Sequence, residues 1–495
     1  MTTLEQSTVG APPAKSNAWE AIDWPKVESF VTRLQMRIAK AEREKRFGKV
    51  KALQWLLTHS YQAKLLAVKR VTENRGSKTA GVDGKRCETP RQKSQLSQSL
   101  KRKGYRAQPL RRVYIPKKNG KRRPLGIPTI KDRAMQALYL QALEPIAETR
   151  ADPNSYGFRR MRSTNDAIEQ CFRVLCHKQS AHWVLEGDIK ACFDQISHSW
   201  LLANIPLDKA VLKQWLEAGF MDKNIWYPSK EGTPQGGIIS PTLANMALDG
   251  LEAVANAVRP RGHRINVVRY ADDFIITGIS KEVLEDEVKP VVEEFLMERG
   301  LTLSREKTAI TSIDQGFDFL GFNIRKYDGK LLIKPTKESI KRLLEKARNI
   351  IKHYVGQETS VLIKCLNPVL RGWCYYYRSV VSKQTFSYID DCVYCALAKW
   401  TVRRHPKKNI AWIRKTYFRS ELFRNWIFYA RVQDKHGEWK NHDLFKLVHV
   451  PIRRYTKVIG KATPFDPEYV DYFRRRSRRY SIGQQEWMVE LAWSL

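Results

Sequence analysis

The chain has 495 residues, with 88 Lys and Arg against 51 Asp and Glu and a formal net charge of +37, so its natural partner is a polyanion. Hydrophobic residues make up 42% of it, with 14 Trp, 20 Tyr and 18 Phe, which is ample material for a core and excludes wholesale disorder. No apolar run reaches the roughly 18 residues of a membrane span, and the first 15 residues lack the charged and apolar regions of a secretory signal, so a soluble, cytoplasmic protein with no membrane partner is expected.

Residues 1 to about 18 are Thr, Ser, Pro and Ala without periodicity and predict a frayed tail. From Trp24 the pattern turns helical and basic: Val27, Phe30, Val31, Leu34 and Ile38 fall at three- and four-residue steps, and Val50, Leu53, Leu56 and Leu57 follow in a second helix. Residues 1–75 therefore read as a helical basic extension, ended by Gly76, Gly81 and Gly84, and a second domain spans 76–334. There Val113-Tyr114-Ile115 and Leu125-Gly126-Ile127 flank Lys117-Lys118-Asn119-Gly120-Lys121-Arg122-Arg123, whose Asn-Gly signals a hairpin carrying five cations on seven positions, with Arg112 in the same patch. A helix at 131–149, a turn at Tyr156-Gly157-Phe158-Arg159 and a helix at 164–176 follow. Trp183-Val184-Leu185 reads as a strand leading into Asp188; residues 267–270 and 274–276 read as strands joined at an acidic turn; and 317–324 with 331–333 form a hairpin around Asp328-Gly329. Mixed in this order, the elements predict an α+β domain with an antiparallel sheet.

Beyond Pro335 the character changes. Ile340, Leu343, Leu344, Ala347, Ile350 and Ile351 make one apolar stripe with Lys337, Lys341, Lys346 and Lys352 off it, an amphipathic helix with a cationic outer face. Everything after it reads as helical, aromatic and basic, in blocks 335–430 and 431–495. The eight cysteines show no disulfide framework and are expected to be reduced; Cys392 and Cys395 stand at zinc-like spacing but lack a second pair, so two core thiols on a helix are the better reading.

The most informative segment is Tyr270-Ala271-Asp272-Asp273. Adjacent carboxylates on a tight turn repel unless a cation lies between them, and a divalent ion with oxygen ligands is the usual answer. Asp188, ending an apolar strand, supplies a third carboxylate, and a cage of Asp188 and Asp272 with Asp273 can hold two metal ions about 4 Å apart for in-line phosphoryl displacement. A look-alike, Asp390-Asp391, continues through Val393, Ala396, Leu397 and Trp400 at helical spacing, so it is read as structural, in the first turn of a helix.

The ordered series Gly-Val-Asp-Gly (81–84), Arg123-Pro124-Leu125-Gly126-Ile127-Pro128, Asp188 to Asp194, Gly232-Thr233-Pro234-Gln235-Gly236-Gly237, Tyr270 to Asp273, Leu303-Ser304-Arg305-Glu306-Lys307-Thr308 and Phe319-Leu320-Gly321-Phe322 resembles the motifs of a reverse transcriptase, most closely the bacterial enzymes encoded within group II introns. Leu366 to Trp373 with Tyr375-Tyr376-Tyr377 resembles the maturase domain that forms the thumb in that family. The resemblance implies a right-hand polymerase, with fingers and palm at 76–334, an α-helical thumb and maturase domain at 335–430 and a basic, DNA-binding segment at 431–495. It implies two Mg²⁺ ions, with Mn²⁺ as a substitute, held by Asp188, Asp272, Asp273 and the backbone of Ile189. Phe193 matches the residue that stacks under the sugar and excludes a 2′-hydroxyl, Gln235 a residue that contacts the incoming nucleotide, and Lys117 and Arg123 the fingers residues that neutralise its triphosphate.

The same resemblance implies group II intron RNA, an RNA template with a DNA primer, deoxynucleoside triphosphates and a DNA target as partners, leaves a homodimer open, and places the protein in the bacterial cytoplasm at the nucleoid. Arg371, Arg378, Arg403 and Arg404, interleaved with aromatics, have the composition of a surface that tracks phosphates and stacks bases, and Arg474 and Arg475 in the basic run 474–479 are consistent with DNA backbone contact. Many relatives continue into a nuclease with paired CxxC motifs and a His-Asn-His core; no such pattern stands before Leu495, so cutting of the second DNA strand is not expected. Two other readings stay open: a free-standing host reverse transcriptase in repair or defence, and an RNA-binding splicing cofactor whose palm is a fossil, against which the intact Asp188, Asp272 and Asp273 argue.

Overall fold

The computed structural model describes residues 19–116, 120, 122–258, 264–422 and 424–480. The tail before residue 19 and the hairpin tip with Lys117 lie outside the described residues. The N-terminal extension is three helices, Trp24–Arg43, Phe47–His59 and Tyr61–Thr72, one more than the periodicity predicts. Ser60 divides the second run: its extended backbone stops one helix, and its hydroxyl accepts from Ala63 N at 3.3 Å to cap the next. Their apolar faces pack on the helix Ile130–Arg150, started by Thr129, whose hydroxyl accepts from Asp132 N.

Strands β1 (Leu110–Pro116) and β2 (Arg122–Ile127) form the expected hairpin, paired from Arg111 with Ile127 to Pro116 with Arg122. After the helix Thr164–Leu175 comes β3 (Trp183–Asp188), then a short hairpin of β4 (Phe220–Asp222) and β5 (Ile225–Tyr227) that joins β1 in the order β2-β1-β4-β5, with β1 and β4 parallel. Strands β6 (Asn266–Tyr270), β7 (Asp273–Gly278) and β8 (Ala309–Ser312) build the second sheet, β6-β7-β3-β8, antiparallel throughout as the sequence predicts. Strands β9 (Phe317–Phe319), β10 (Phe322–Tyr327) and β11 (Lys330–Pro335) form a third.

The second sheet lies between two cores because successive side chains of a strand point to opposite faces. Leu185, Val267, Phe274 and Ile276 enter the core shared with the N-terminal helices, whereas Val184, Val268 and Ile275 enter the core shared with the C-terminal third. Asp188, four residues beyond Val184, and Asp273, two before Ile275, lie at the sheet end on the second of these faces.

The C-terminal third begins with the amphipathic helix Lys337–His353, burying Leu343, Leu344, Ala347 and Ile351 as its stripe predicts, followed by helices Thr359–Tyr377 and Lys383–Arg404. It is not helical throughout: β12 (Phe418–Glu421), β13 (Arg424–Gln433) and β14 (Trp439–Asp443) form an antiparallel sheet on the helix Thr359–Tyr377, and β13 runs across the expected boundary at 430. The later segment folds back onto the second domain. Arg162 donates to the carbonyls of Gly460 and Ala462 at 2.8 and 3.1 Å, and the fully buried Asp166 accepts from Val458 N, Tyr455 Oη and the Arg476 guanidinium at 2.7, 3.0 and 2.9 Å.

Asp390 and Asp391 sit well inside the helix Lys383–Arg404 rather than in its first turn. The structural reading holds through another contact, because Asp390 accepts from Leu447 N and Val448 N at 2.9 Å each and satisfies backbone donors of the adjoining chain. Cys392 and Cys395 both lie on this helix as expected, but only Cys392 packs, half-buried, against the core and Cys395 is exposed; among the described residues no group of three His, Cys, Asp or Glu is assembled to hold a metal.

Candidate active site

The site forms where β3 and β7 end side by side. Asp188 pairs across the strands with Asp273, which puts two carboxylates on one face within contact range, and Asp272 stands on the turn that connects β6 to β7. Desolvation raises the Asp272 carboxyl above the usual range, with the Asp188 charge adding to it and Arg123 and Lys307 opposing. The same desolvation, followed by the charges of Asp272 and Asp188, pushes Asp273 up to about 7 although its edge is open to solvent. The cluster is thus short of positive charge.

Part of that deficit is met by Lys307, whose ammonium donates to both Asp188 oxygens at 3.0 and 2.9 Å. Its segment is sewn to β3 by Ser304 N to the Asp188 carbonyl at 2.8 Å and Lys190 N to the Thr302 carbonyl at 2.9 Å. The bridge between buried Ile189 and Leu303 leaves the Ile189 carbonyl out of those bonds. Three carboxylates and one backbone carbonyl are the all-oxygen donor set that suits a hard divalent ion. The donor chemistry suits such an ion, but the three carboxylates are not drawn together around one point, and Lys307 occupies the Asp188 carboxylate that an ion would share.

The turn is supported from beneath. Ala271 adopts φ +59°, which costs a residue with a Cβ about 1 kcal/mol or more. Arg269, 1% exposed, donates to Asp249 Oδ1 at 2.6 Å and Asn245 Oδ1 at 3.1 Å and lies 3.4 Å from the Ala271 carbonyl. Asn245 in turn donates to the Gly157 carbonyl at 2.8 Å. Gly157 must lack a side chain, since a Cβ there would lie 2.4 Å from Ala271 N.

Above the carboxylates, Gln235 donates to Asp194 at 2.9 Å, while its own carbonyl accepts from Gly126 N of β2 at 2.8 Å. A Cβ on Gly236, whose φ is +117°, would meet the Gly126 carbonyl at 2.8 Å, so the close approach made possible by this glycine is to the first sheet. Phe193 is half-buried on the one-turn helix Cys192–Gln195, with its carbonyl accepting from Thr233 N at 2.6 Å. Arg123, exposed on β2, is near enough to depress Asp272, and Arg112 stacks 3.7 Å above the Phe220 ring.

The remaining cations are more scattered. Lys337, Lys341, Arg371 and Arg403 are exposed, with Arg371 over Phe445 at 5.4 Å. Arg378 is half-buried over Tyr375 at 5.1 Å; Arg404 donates to the carbonyls of Val355 and Gln357 and holds helices together. In the terminal helix Val470–Tyr480, Arg474 is exposed and paired with Asp471 at 2.7 Å, Arg475 is exposed, and Arg476 is buried on Asp166. Sequence reading assigned no role to Lys307, Arg269, Asp249 or Phe158; an arginine inside the apolar run Val267-Val268-Arg269-Tyr270 was the available signal for the buried pair.

Several known families and proteins are similar to this chain. The family of reverse transcriptase (RNA-dependent DNA polymerase) matches residues 115–324, the N-terminal domain of reverse transcriptase residues 19–100, and the group II intron, maturase-specific domain residues 340–418. The chain is similar to the protein YkfC of Escherichia coli, 32% identical over 57% of this chain and 84% of that one. It is also similar to the group II intron-encoded protein LtrA of Lactococcus lactis, 29% identical over 69% of this chain and 72% of that one. A solved telomerase of Candida albicans aligns at TM-score 0.33 and 11% identity over 63% of this chain and 64% of that one, too slight a likeness to bear on the fold.

Proposed function

The chain belongs to the family of group II intron reverse transcriptases and maturases, and from that premise we propose that Asp188, Asp272 and Asp273 are the metal ligands of its RNA-directed DNA polymerase. The observation that carries this is the cross-strand pairing of Asp188 with Asp273 beside Asp272, three carboxylates at one sheet end with two of them raised. The enzyme is divalent-metal-dependent, as its family implies; two Mg²⁺ ions, with Mn²⁺ as a substitute, are the reading this donor set favours, and the Ile189 carbonyl is the fourth donor. Asp188, Asp272, Asp273 and the Ile189 carbonyl would hold such ions, whose chemistry when bound would be activation of the primer 3′-hydroxyl and stabilisation of the leaving pyrophosphate.

The protein's own groups do the rest. Arg269 and Asn245 hold the Ala271 turn, and with it the two aspartates, in one geometry before substrate arrives. Arg123 supplies positive charge on the fingers side, where the triphosphate of a deoxynucleotide would lie, a fork suited to phosphate oxygens. Lys117 is proposed for the same task from the sequence alone. Gln235, tied to Asp194 and to β2, is proposed to touch the incoming nucleotide, and Phe193 to close the space that a 2′-hydroxyl would need.

The exposed cations of the helical third, Lys337, Lys341, Arg371 and Arg403, are proposed to carry intron RNA and the template–primer duplex, with Arg474 and Arg475 toward a DNA target. Arg404 and Arg476 have structural partners and are not needed for that surface. Primer extension on an RNA template with Mg²⁺ and deoxynucleotides tests the site. Full-length DNA is expected from the wild type and none from Asp272→Asn; synthesis retained by that variant contradicts the assignment.

A further inference from the structure

Phe158 is an aromatic residue with no assigned task in an unusual backbone state. Its φ is +58°, a conformation that bulky residues avoid, and its side chain is 47% exposed, so neither backbone preference nor burial explains a phenylalanine there. The turn that bears it is pinned on both sides. Before it, Tyr156 N donates to the Arg269 carbonyl at 2.9 Å, and Gly157 lies against the Ala271 turn with Asn245 on its carbonyl. After it, buried Arg159 pairs with Glu148 at 2.8 Å and donates to the carbonyls of Asp152 and Ser155 at 2.8 and 2.9 Å. A rigid pedestal attached to the metal-binding turn therefore presents one exposed ring.

That ring stands edge-to-face on Phe193, with centroids 6.1 Å apart and planes at 81°. Phe193 sits on a helix of four residues entered through Ala191 at φ +46°, a short support for a ring that must hold its position against a sugar. We propose that Phe158 is the second ring of the sugar gate: a positioning residue that fixes the Phe193 ring and so sets the preference for deoxyribonucleoside over ribonucleoside triphosphates. The proposal rests on the reading of Phe193 as the gate. The Phe158 pedestal also touches the Ala271 turn, so the gate ring is referenced to the same backbone that carries Asp272 and Asp273.

The test measures the ratio of kcat/KM for a deoxynucleotide to that for the ribonucleotide of the same base, on an RNA template, for the full chain and its variants. Phe158→Gly removes the ring while suiting the positive φ, and Phe158→Asn does the same with a residue that also tolerates it, so loss of folding is not built into the experiment. Both are expected to lower the ratio about three- to tenfold, the worth of one aromatic pair, whereas Phe158→Tyr, which keeps the ring, restores it. Phe193→Ala, measured alongside, is expected to lower the ratio further. Unchanged selectivity in both ring-less variants with selectivity lost in Phe193→Ala overturns the role of Phe158 and leaves the gate standing. Unchanged selectivity in Phe193→Ala overturns the gate itself, and the proposal with it.

Discussion

At the scale of single residues, the site is governed by negative charge held where it is poorly solvated. Asp273 is pushed up to about 7 by burial first and by Asp272 and Asp188 next. An acid whose folded value is raised stabilises the fold while protonated and loses that contribution as pH rises from the unfolded range near 4 through about 7. In chelator, Asp273→Asn is therefore expected to be more stable than the wild type at pH 8, with the difference closing toward pH 4; thermal melts at the two pH values check it, and a variant less stable at pH 8 contradicts it. Lys307 belongs to the same balance. Its ammonium on Asp188 compensates part of that negative charge, the task proposed for a divalent ion.

At the scale of elements, strands were legible where both faces met a core, because such strands read as short continuous apolar runs. Trp183 to Asp188 and the strands around Asp272 alternate cleanly between two cores, and the acidic turn between them stood out because no helical period runs through it. The sheet at 418–443 was hidden by its own packing. In β13 both Ile427 and Phe428 are buried, and a register shift between Arg419 and Glu421 removes the two-residue period, so the segment reads as generic aromatic and basic chain; Asp434 to Gly437, with Gly437 at φ +80°, was the hairpin signal available. The terminal basic run was legible as charge but not as structure, because only the fold shows that Arg476 reaches Asp166, 310 residues away. That pair is buried on both sides, at 8% and 0% exposure. Removing one partner leaves an uncompensated charge, so Arg476→Met is expected to destabilise the protein by about 3 to 5 kcal/mol, against nearly nothing for exposed Arg474→Met. Equal denaturation midpoints for the two variants contradict the role of this segment as a strap.

At the scale of the whole molecule, one chain combines a sheet end bearing three carboxylates with a C-terminal third whose exposed cations lie outside it. The net charge of +37 does not concentrate at the carboxylates, where Arg123 and Lys307 offset the acidic cluster, but is spread over surfaces such as the outer face of the helix Lys337–His353. Polymerisation should depend on the first region and RNA binding on the second, and the two should separate. The measurement that tests this most directly compares the wild type with Asp272→Asn for splicing of its intron RNA and for DNA synthesis on an RNA template, in the same buffer. Splicing retained by a variant that makes no DNA is the expected result; DNA synthesis by the variant, or splicing lost while RNA affinity is intact, would contradict the account.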